Sequence, residues 1–129
     1  MLTPALKRSP EPVVIDHMAR IAASLGLDQK PFRALLGLLE DSKVWVKVSG
    51  CERASRQFSP WKDAIPFARK LVAEFGSRAL WGTDWPHPNL KEVPDDGLMV
   101  DLLGEIAPTD AQREALLVGN PQRFYGFRK

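Results

Sequence analysis

The segment that decides the fold reads VWVKVSGCER and runs from residue 44 to residue 53. Its first five residues are rich in β-branched valine, and this composition predicts a β-strand. The alternation places the valines on one face and Trp45, Lys47 and Ser49 on the other. Such a pattern is expected where valines pack against helices and the opposite face lines the interior of a barrel.

Two shorter apolar runs flank this segment, VVI at residues 13–15 and ALW at residues 79–81. Together the three runs predict strands near residues 13–16, 44–49 and 79–83. Helical patterns separate the strands. Alternating strands and helices indicate parallel strands joined by right-handed crossovers, and therefore an α/β fold.

The segments between and after the strands have the spacing of amphipathic helices. Pro31 suits the first turn of a helix that ends near Asp41, and an apolar stripe predicts a second helix over residues 61–75. After the third strand, a proline-rich loop precedes a helix predicted over residues 97–106. The sequence TDAQ, which begins at Thr109, predicts a capping box at the start of the last helix.

The strand onsets are spaced by 31 residues between Val13 and Val44 and by 35 residues between Val44 and Ala79. Eight β/α units of about 33 residues would need about 260 residues, the size of a (β/α)8 TIM barrel. The chain has 129 residues, the length of one domain. We therefore expect residues 1–129 to form either a small open α/β sheet or the C-terminal portion of a TIM barrel, with its last three or so β/α units.

Composition excludes several classes of function. Hydrophobic residues make up 44% of the chain and charged residues 26%, as in typical globular proteins. The net charge is only +2 and like charges do not cluster, so no nucleic-acid partner is predicted. The single cysteine, Cys51, cannot form an internal disulfide. Because the sequence shows no export signal and no apolar stretch near the ~20 residues of a membrane span, we predict a cytoplasmic protein without a membrane partner.

Polar residues follow each predicted strand at its carboxyl end. His17 comes after the first strand, Arg53 after the second, and Asp84 and His87 after the third. The carboxyl ends of parallel strands open on one face, and that face holds the active site in α/β proteins. We therefore expect His17, Arg53 and Asp84 to face a shared cleft.

Four motifs, VVIDHMAR, VWVKVSGCERAS, LWGTDWPHPN and NPQRFYGF, are spread from Val13 to Phe127. They resemble the last three β/α units of the amidohydrolase-related TIM-barrel hydrolases, in particular the lactonase branch that acts on 2-pyrone-4,6-dicarboxylate and related compounds. The complete barrel of that family begins with a strand that carries a His-x-His pair. This sequence has only His17 and His87, so that motif is missing from it.

The resemblance implies a role for each rim residue. Asp84 would be the base that activates the attacking water, and His17 would help to polarise the lactone carbonyl, as a hydrogen-bond donor or as a metal ligand. Arg53 would pair with a substrate carboxylate, for which its planar fork of donors is suited. His87 would contact substrate at the rim. The implied substrate is a small carboxylated lactone or a related cyclic ester.

Cofactor predictions are limited by the ligands available. His17 and Asp84 are two potential metal ligands, whereas a catalytic zinc site ordinarily has three from the protein. A divalent metal would therefore need ligands from residues outside this chain. The sequence has no glycine-rich phosphate loop, so no nucleotide cofactor is predicted.

Other interpretations stay open from the sequence. Each rim residue has a structural alternative: His17 bonded to a backbone carbonyl, Asp84 in an Asx-turn and Arg53 as a solvated surface charge. Within the same superfamily, metal-dependent decarboxylation is an alternative reaction. A third reading is a truncated reading frame whose product has no enzyme activity, because Met1 is followed almost at once by the first strand. A partial barrel would leave strand edges open, and self-association is then expected.

Overall fold

The computed structural model describes residues 3–127 and has a mixed α/β fold built on a three-stranded parallel sheet. The strands lie side by side in chain order: β1 (Val13–Ile15), β2 (Val44–Lys47) and β3 (Ala79–Leu80). All three predicted strands are present, and the predicted parallel pairing is confirmed. Each strand is shorter than predicted.

Helices connect the strands and continue after the last of them. Their bounds are α1 (Thr3–Arg8), α2 (Lys30–Leu39), α3 (Cys51–Ala54), α4 (Ile65–Phe75), α5 (Asp96–Asp101), α6 (Leu103–Ile106), α7 (Asp110–Glu114) and α8 (Asn120–Tyr125). A π-helical turn, Ala115–Gly119, joins the last two. The part of the chain that the structure describes contains no helix long and apolar enough to cross a membrane.

Two predicted helix boundaries are corrected by the structure. Helix α4 begins at Ile65 rather than at residue 61, because Trp61 has a φ of 52° and a left-handed residue cannot continue a right-handed helix. The helix predicted over residues 97–106 divides into α5 and α6, where the N–H of Glu105 bonds to the carbonyl of Leu102 and tightens the turn. The capping box at Thr109 is confirmed.

The two faces of β2 have different neighbours. Val44, Val46 and Val48 are fully buried in the core together with the apolar faces of α2 and α4, as the alternation predicted. On the opposite face Trp45 is only 8% exposed, because the ring of Phe124 in α8 lies 4.9 Å from it, centroid to centroid. The face opposite α2 and α4 is therefore covered by α8 near the amino end of the sheet.

Helix α8 is fixed at the amino end of β3. The buried side-chain amide of Asn120 donates hydrogen bonds to the carbonyls of Gly76 at 2.6 Å and Ala79 at 2.8 Å. The guanidinium of Arg78 similarly donates hydrogen bonds to the carbonyls of Asp41 and Leu39, in the segment that precedes β2. These contacts secure the amino ends of the strands, so that the carboxyl ends are presented at the opposite edge.

Candidate functional site

The carboxyl ends of the three strands bring three predicted site residues into contact. The Nε2 atom of His17 lies 3.4 Å from Oδ1 of Asp84, and Nε of Arg53 donates to Oδ2 of the same carboxylate at 2.8 Å. Nη2 of Arg53 also bonds to Oδ2. These distances show the three side chains in contact, with Asp84 between the other two. The shared cleft expected from the sequence stays a prediction.

His17 lies in a left-handed turn directly after β1. The φ angles of the four residues from His17 to Arg20 are all between 47° and 57°. This conformation costs about 1–2 kcal/mol for each residue other than glycine, so tertiary contacts must hold it. The burial of Met18 in the core provides one such contact. The turn aims the imidazole at the ends of β2 and β3.

Ser49 and Gly50 hold the other side of the His17 ring. The hydroxyl of the buried Ser49 lies 3.1 Å from Nδ1 of His17. Gly50 has a φ of 87°, and a Cβ atom at this position would lie 2.8 Å from the Cβ of His17. The backbone at residue 50, after the end of β2, can therefore approach His17 this closely only because that residue is glycine.

Arg53 is placed by the short helix α3, which begins directly after Gly50. Its side chain is 6% exposed, and Nη2 donates a further hydrogen bond to the carbonyl of Pro88 at 3.0 Å. The alternative interpretation of Arg53 as a solvated surface charge is therefore wrong, because the side chain is buried and hydrogen-bonded. Nη1 has no hydrogen-bond acceptor among residues 3–127.

Burial and charge tune the imidazole of His17. Its pKa is lowered from the ordinary value chiefly because burial disfavours the charged ring, with Arg53 and Lys47 acting in the same direction and Asp84 and Asp16 opposing it. Lys47 itself is paired with Asp16 at 2.7 Å, and this hydrogen bond raises the pKa of the Lys47 ammonium. His17 is therefore a neutral ring at pH 7.

Glu52 is a feature that the sequence analysis did not single out. Its side chain is 5% exposed, and burial raises the pKa of its carboxyl group. Oε1 is 3.6 Å from Nε of Arg53 but has no hydrogen bond among the described residues. Its position in the GCER sequence before Arg53 was visible, but only the fold shows that it is buried. Beside it, burial raises the pKa of the Cys51 thiol to about 12, as expected for an unreactive cysteine.

His87 lies apart from the contact between His17, Asp84 and Arg53. Its side chain is fully buried, Nε2 is 2.9 Å from Oδ1 of Asp96, and Nδ1 has no hydrogen-bond partner within residues 3–127. Its backbone N–H donates to the carbonyl of Asp84 at 2.7 Å. His87 thus closes the turn that carries Asp84, and its side chain joins that turn to α5.

A well-defined cavity lies beside this site rather than over it. Its volume is about 430 Å³, and its walls include Glu52, Trp61, Leu90 and Leu98. His17, Arg53 and Asp84 are not among its lining residues. The cavity and the converging polar groups are therefore separate features, and the chemistry of the polar groups marks the candidate site.

The described residues do not complete a metal centre by themselves. Within residues 3–127, no group of three or more His, Cys, Asp or Glu side chains is placed to hold a metal ion. His17 and Asp84 supply two donors, and Arg53 already occupies Oδ2 of Asp84. These two donors are fewer than the three protein ligands of an ordinary catalytic zinc site, so any such site would need ligands from outside the described residues.

The structure thus presents a parallel α/β sheet with a His–Asp–Arg contact at its carboxyl edge. The family model described as Amidohydrolase matches residues 1–127, and the chain belongs to this family. It is 47% identical over 126 residues to the 2-pyrone-4,6-dicarboxylate hydrolase of Comamonas testosteroni, with 90% of this chain and 41% of that protein covered.

Two further relatives have names that refer to lactones. The 4-sulfomuconolactone hydrolase of Hydrogenophaga intermedia is 41% identical, covering 89% of this chain and 39% of that protein. The D-galactarolactone isomerase of Agrobacterium fabrum is 31% identical, covering 95% and 43%. Among solved structures, that of ATU3138 from Agrobacterium tumefaciens superposes with a TM-score of 0.84 at 30% identity, covering 98% of this chain and 46% of that one. The chain spans about two-fifths of the length of the curated relatives it matches.

Proposed function

We propose that this chain is the C-terminal portion of a (β/α)8 barrel that hydrolyses a carboxylated lactone, with the water activated by Asp84. The observation that carries the proposal is the contact of Asp84 with both His17 and Arg53 at the carboxyl ends of three parallel strands. The strand spacing of a TIM barrel supports the fold. Relatives that hydrolyse anionic lactones support the substrate class.

Asp84 acts as the general base in this reaction. Its carboxylate accepts a proton from a water molecule as the water oxygen bonds to the lactone carbonyl carbon. The ring C–O bond then breaks, and its oxygen takes up the proton that Asp84 holds, which restores the carboxylate. Arg53 holds the carboxylate through Oδ2, so that Oδ1 remains the oxygen directed toward His17. A carboxylate that is held in this way needs no reorganisation before it takes the proton.

His17 donates a hydrogen bond to the carbonyl oxygen of the lactone. The ring is neutral at pH 7 because burial lowers its pKa, and a neutral imidazole has one N–H to donate. The donor must stabilise the negative charge that develops on the oxygen as water attacks. The 3.4 Å separation between Nε2 and Asp84 is long for a hydrogen bond, which leaves the N–H available to substrate.

Arg53 divides its guanidinium between Asp84 and the substrate. Nε and Nη2 hold Asp84, while Nη1 keeps its donors for a substrate carboxylate.

The predicted contact of His87 with substrate would require the turn after Asp84 to move, because the His87 side chain is fully buried against Asp96. We therefore propose that His87 acts first as the support of that turn.

The test replaces the matching segment of the Comamonas hydrolase with this chain and measures hydrolysis of 2-pyrone-4,6-dicarboxylate. In this chimera, Asp84→Asn should lower kcat by about 10²–10⁴-fold, because the amide keeps the shape but cannot accept the proton. Asp110→Asn is the matched control, since Asp110 is fully exposed and paired only with Arg113 on α7. Near-full activity of the Asp84→Asn chimera would place the base elsewhere.

Lactone isomerisation is a second candidate, favoured by the likeness to a D-galactarolactone isomerase. Isomerisation moves the ring bond without net addition of water, whereas hydrolysis gives an open-chain acid. The same chimera distinguishes the two reactions when it is run in ¹⁸O-labelled water. NMR then identifies the product, and mass spectrometry measures its ¹⁸O content. Incorporation of ¹⁸O into an open-chain product supports hydrolysis, and a lactone product without the label supports isomerisation.

A further inference from the structure

We propose that Ser49 and Gly50 are positioning residues that fix both the orientation and the tautomer of His17, so that its proton lies on Nε2. The catalytic part of this proposal rests on the proposed function, whereas the structural part does not. The seat, defined as the Ser49–Gly50 pair, lies between β2 and α3 and packs against the left-handed turn that carries His17.

The hydrogen-bonding groups on the two sides of the His17 ring favour one tautomer. The buried hydroxyl of Ser49 has Nδ1 of His17, 3.1 Å away, as its partner among the described residues. A buried hydroxyl is stabilised by donating its proton, and Nδ1 can accept only when it carries none. On the other side of the ring, Oδ1 of Asp84 is an acceptor and faces Nε2. Both neighbours therefore favour the Nε2–H form.

The opposite tautomer would be unfavourable at both ends of the ring. A proton on Nδ1 would leave the Nε2 lone pair directed at a carboxylate and would remove the acceptor of the Ser49 hydroxyl. Only the Nε2–H form points a donor toward Asp84, at the carboxyl edge of the sheet. The seat therefore decides whether His17 can act as the donor that the reaction needs.

Gly50 fixes the position of the ring within this arrangement. A Cβ at residue 50 would lie 2.8 Å from Cβ and 3.1 Å from Nδ1 of His17, closer than packed carbon atoms approach. The carbonyl of Gly50 also accepts the first backbone bonds of α3, from the N–H groups of Arg53 and Ala54 at 3.0 Å. One turn thus locates two of the groups that contact Asp84.

The structural part can be tested by NMR on the full ¹⁵N-labelled chain, which has only two histidines. Long-range ¹H–¹⁵N correlations should show His17 with Nε2 protonated and Nδ1 unprotonated at pH 7.5. Ser49→Ala should convert His17 to a mixture of tautomers, whereas Ser49→Thr, which keeps the hydroxyl, should retain the Nε2–H form. Ser55→Ala is the matched control, because Ser55 bonds to Asp63 and not to His17.

The resonances of His87 report whether each variant keeps its fold, because that ring is buried against Asp96. A protonated Nδ1 in the unmodified chain would overturn the proposal. Unchanged His17 resonances in a folded Ser49→Ala variant would also overturn it.

The catalytic part is tested in the chimera. Ser49→Ala should lower kcat about tenfold with little change in KM, as for other groups that orient a functional histidine, and Ser49→Thr should restore it. If the tautomer changes but kcat does not, the seat stands and the donor role of His17 in the proposed function fails. If neither changes, the seat itself is refuted.

Discussion

Arg53 bonds to Asp84 through two nitrogen atoms of one guanidinium, and both bonds end on the same carboxylate oxygen, Oδ2. This geometry leaves Oδ1 directed at His17, 3.4 Å away. A planar fork can hold a carboxylate in this way, whereas an ammonium group makes a single point contact. The relationship therefore makes Arg53 part of the support of Asp84 as well as a candidate anion-binding group.

Arg53→Lys should impair the chimera in two ways. KM should rise, because the Nη1 donors proposed to bind a substrate carboxylate are lost while the charge remains. Since Nε and Nη2 of the same guanidinium hold Asp84, kcat should also fall, which a purely substrate-binding arginine would not cause. Steady-state kinetics separate the two effects, and Arg69→Lys on the outer face of α4, where Nε bonds to the carbonyl of Glu105, is the control. A change in KM alone would show that Asp84 is held without the fork.

Ala19→Gly should stabilise the chain. Ala19 is exposed and has a φ of 57°, a conformation that glycine adopts without the steric penalty of a Cβ atom. The gain in the free energy of unfolding should be up to about 1 kcal/mol. Ala111→Gly in α7 is the matched control and should lose about 1 kcal/mol, because Ala111 is exposed in a right-handed helix. Urea unfolding measures both, and a loss of stability in Ala19→Gly would contradict the left-handed turn.

Glu52→Gln should stabilise the chain at pH 8 but not at pH 4. The raised pKa of Glu52 means that its contribution to stability is fully present below the ordinary carboxyl value and is lost as pH rises through the folded pKa. At pH 8 the variant no longer buries a charge, whereas at pH 4 both proteins are neutral at this position. Thermal unfolding at the two pH values gives the comparison, with the exposed Glu105→Gln as control. Equal effects at both pH values would contradict the prediction.

His17 should make the opposite contribution to the pH dependence of stability. Its lowered pKa means that the folded chain resists protonation, so its contribution is present above the ordinary histidine value near 6.5 and is lost as pH falls through the folded pKa. NMR titration of the two histidines should give a His17 midpoint below 6.5. A midpoint above this value would show that Asp84 outweighs burial.

The isolated chain should self-associate. Within the described residues, β1 and β3 each have a paired strand on one side only, and open strand edges bind other chains. Light scattering after size exclusion should show species larger than a monomer at micromolar concentration, and no lactone hydrolysis is expected from the chain alone. Val14→Lys adds a charge on the outer strand and should shift the population toward monomer. A stable monomer that unfolds cooperatively would contradict this prediction.

The sequence by itself determined the parallel strands and the residues that follow each strand at one rim. Valine alternation marks β2 because one face of a strand must be buried, and polar residues after each strand must meet at one edge of a parallel sheet. His17, Arg53 and Asp84 could be named for that reason. The capping box at Thr109 is equally local, since its bonds lie within one turn.

Only the tertiary structure decided how those side chains are used. The left-handed turn at His17 and the φ of Trp61 oppose local preference and are held by packing that no single segment encodes. The burial of Glu52 and of His87 depends on tertiary packing. Spacing could therefore predict neither the pKa shift of Glu52 nor the lack of a partner, among the described residues, at Oε1 of Glu52 and Nδ1 of His87. The seat of His17 likewise joins residues 32 positions apart, a contact that exists only once β1 and β2 pair.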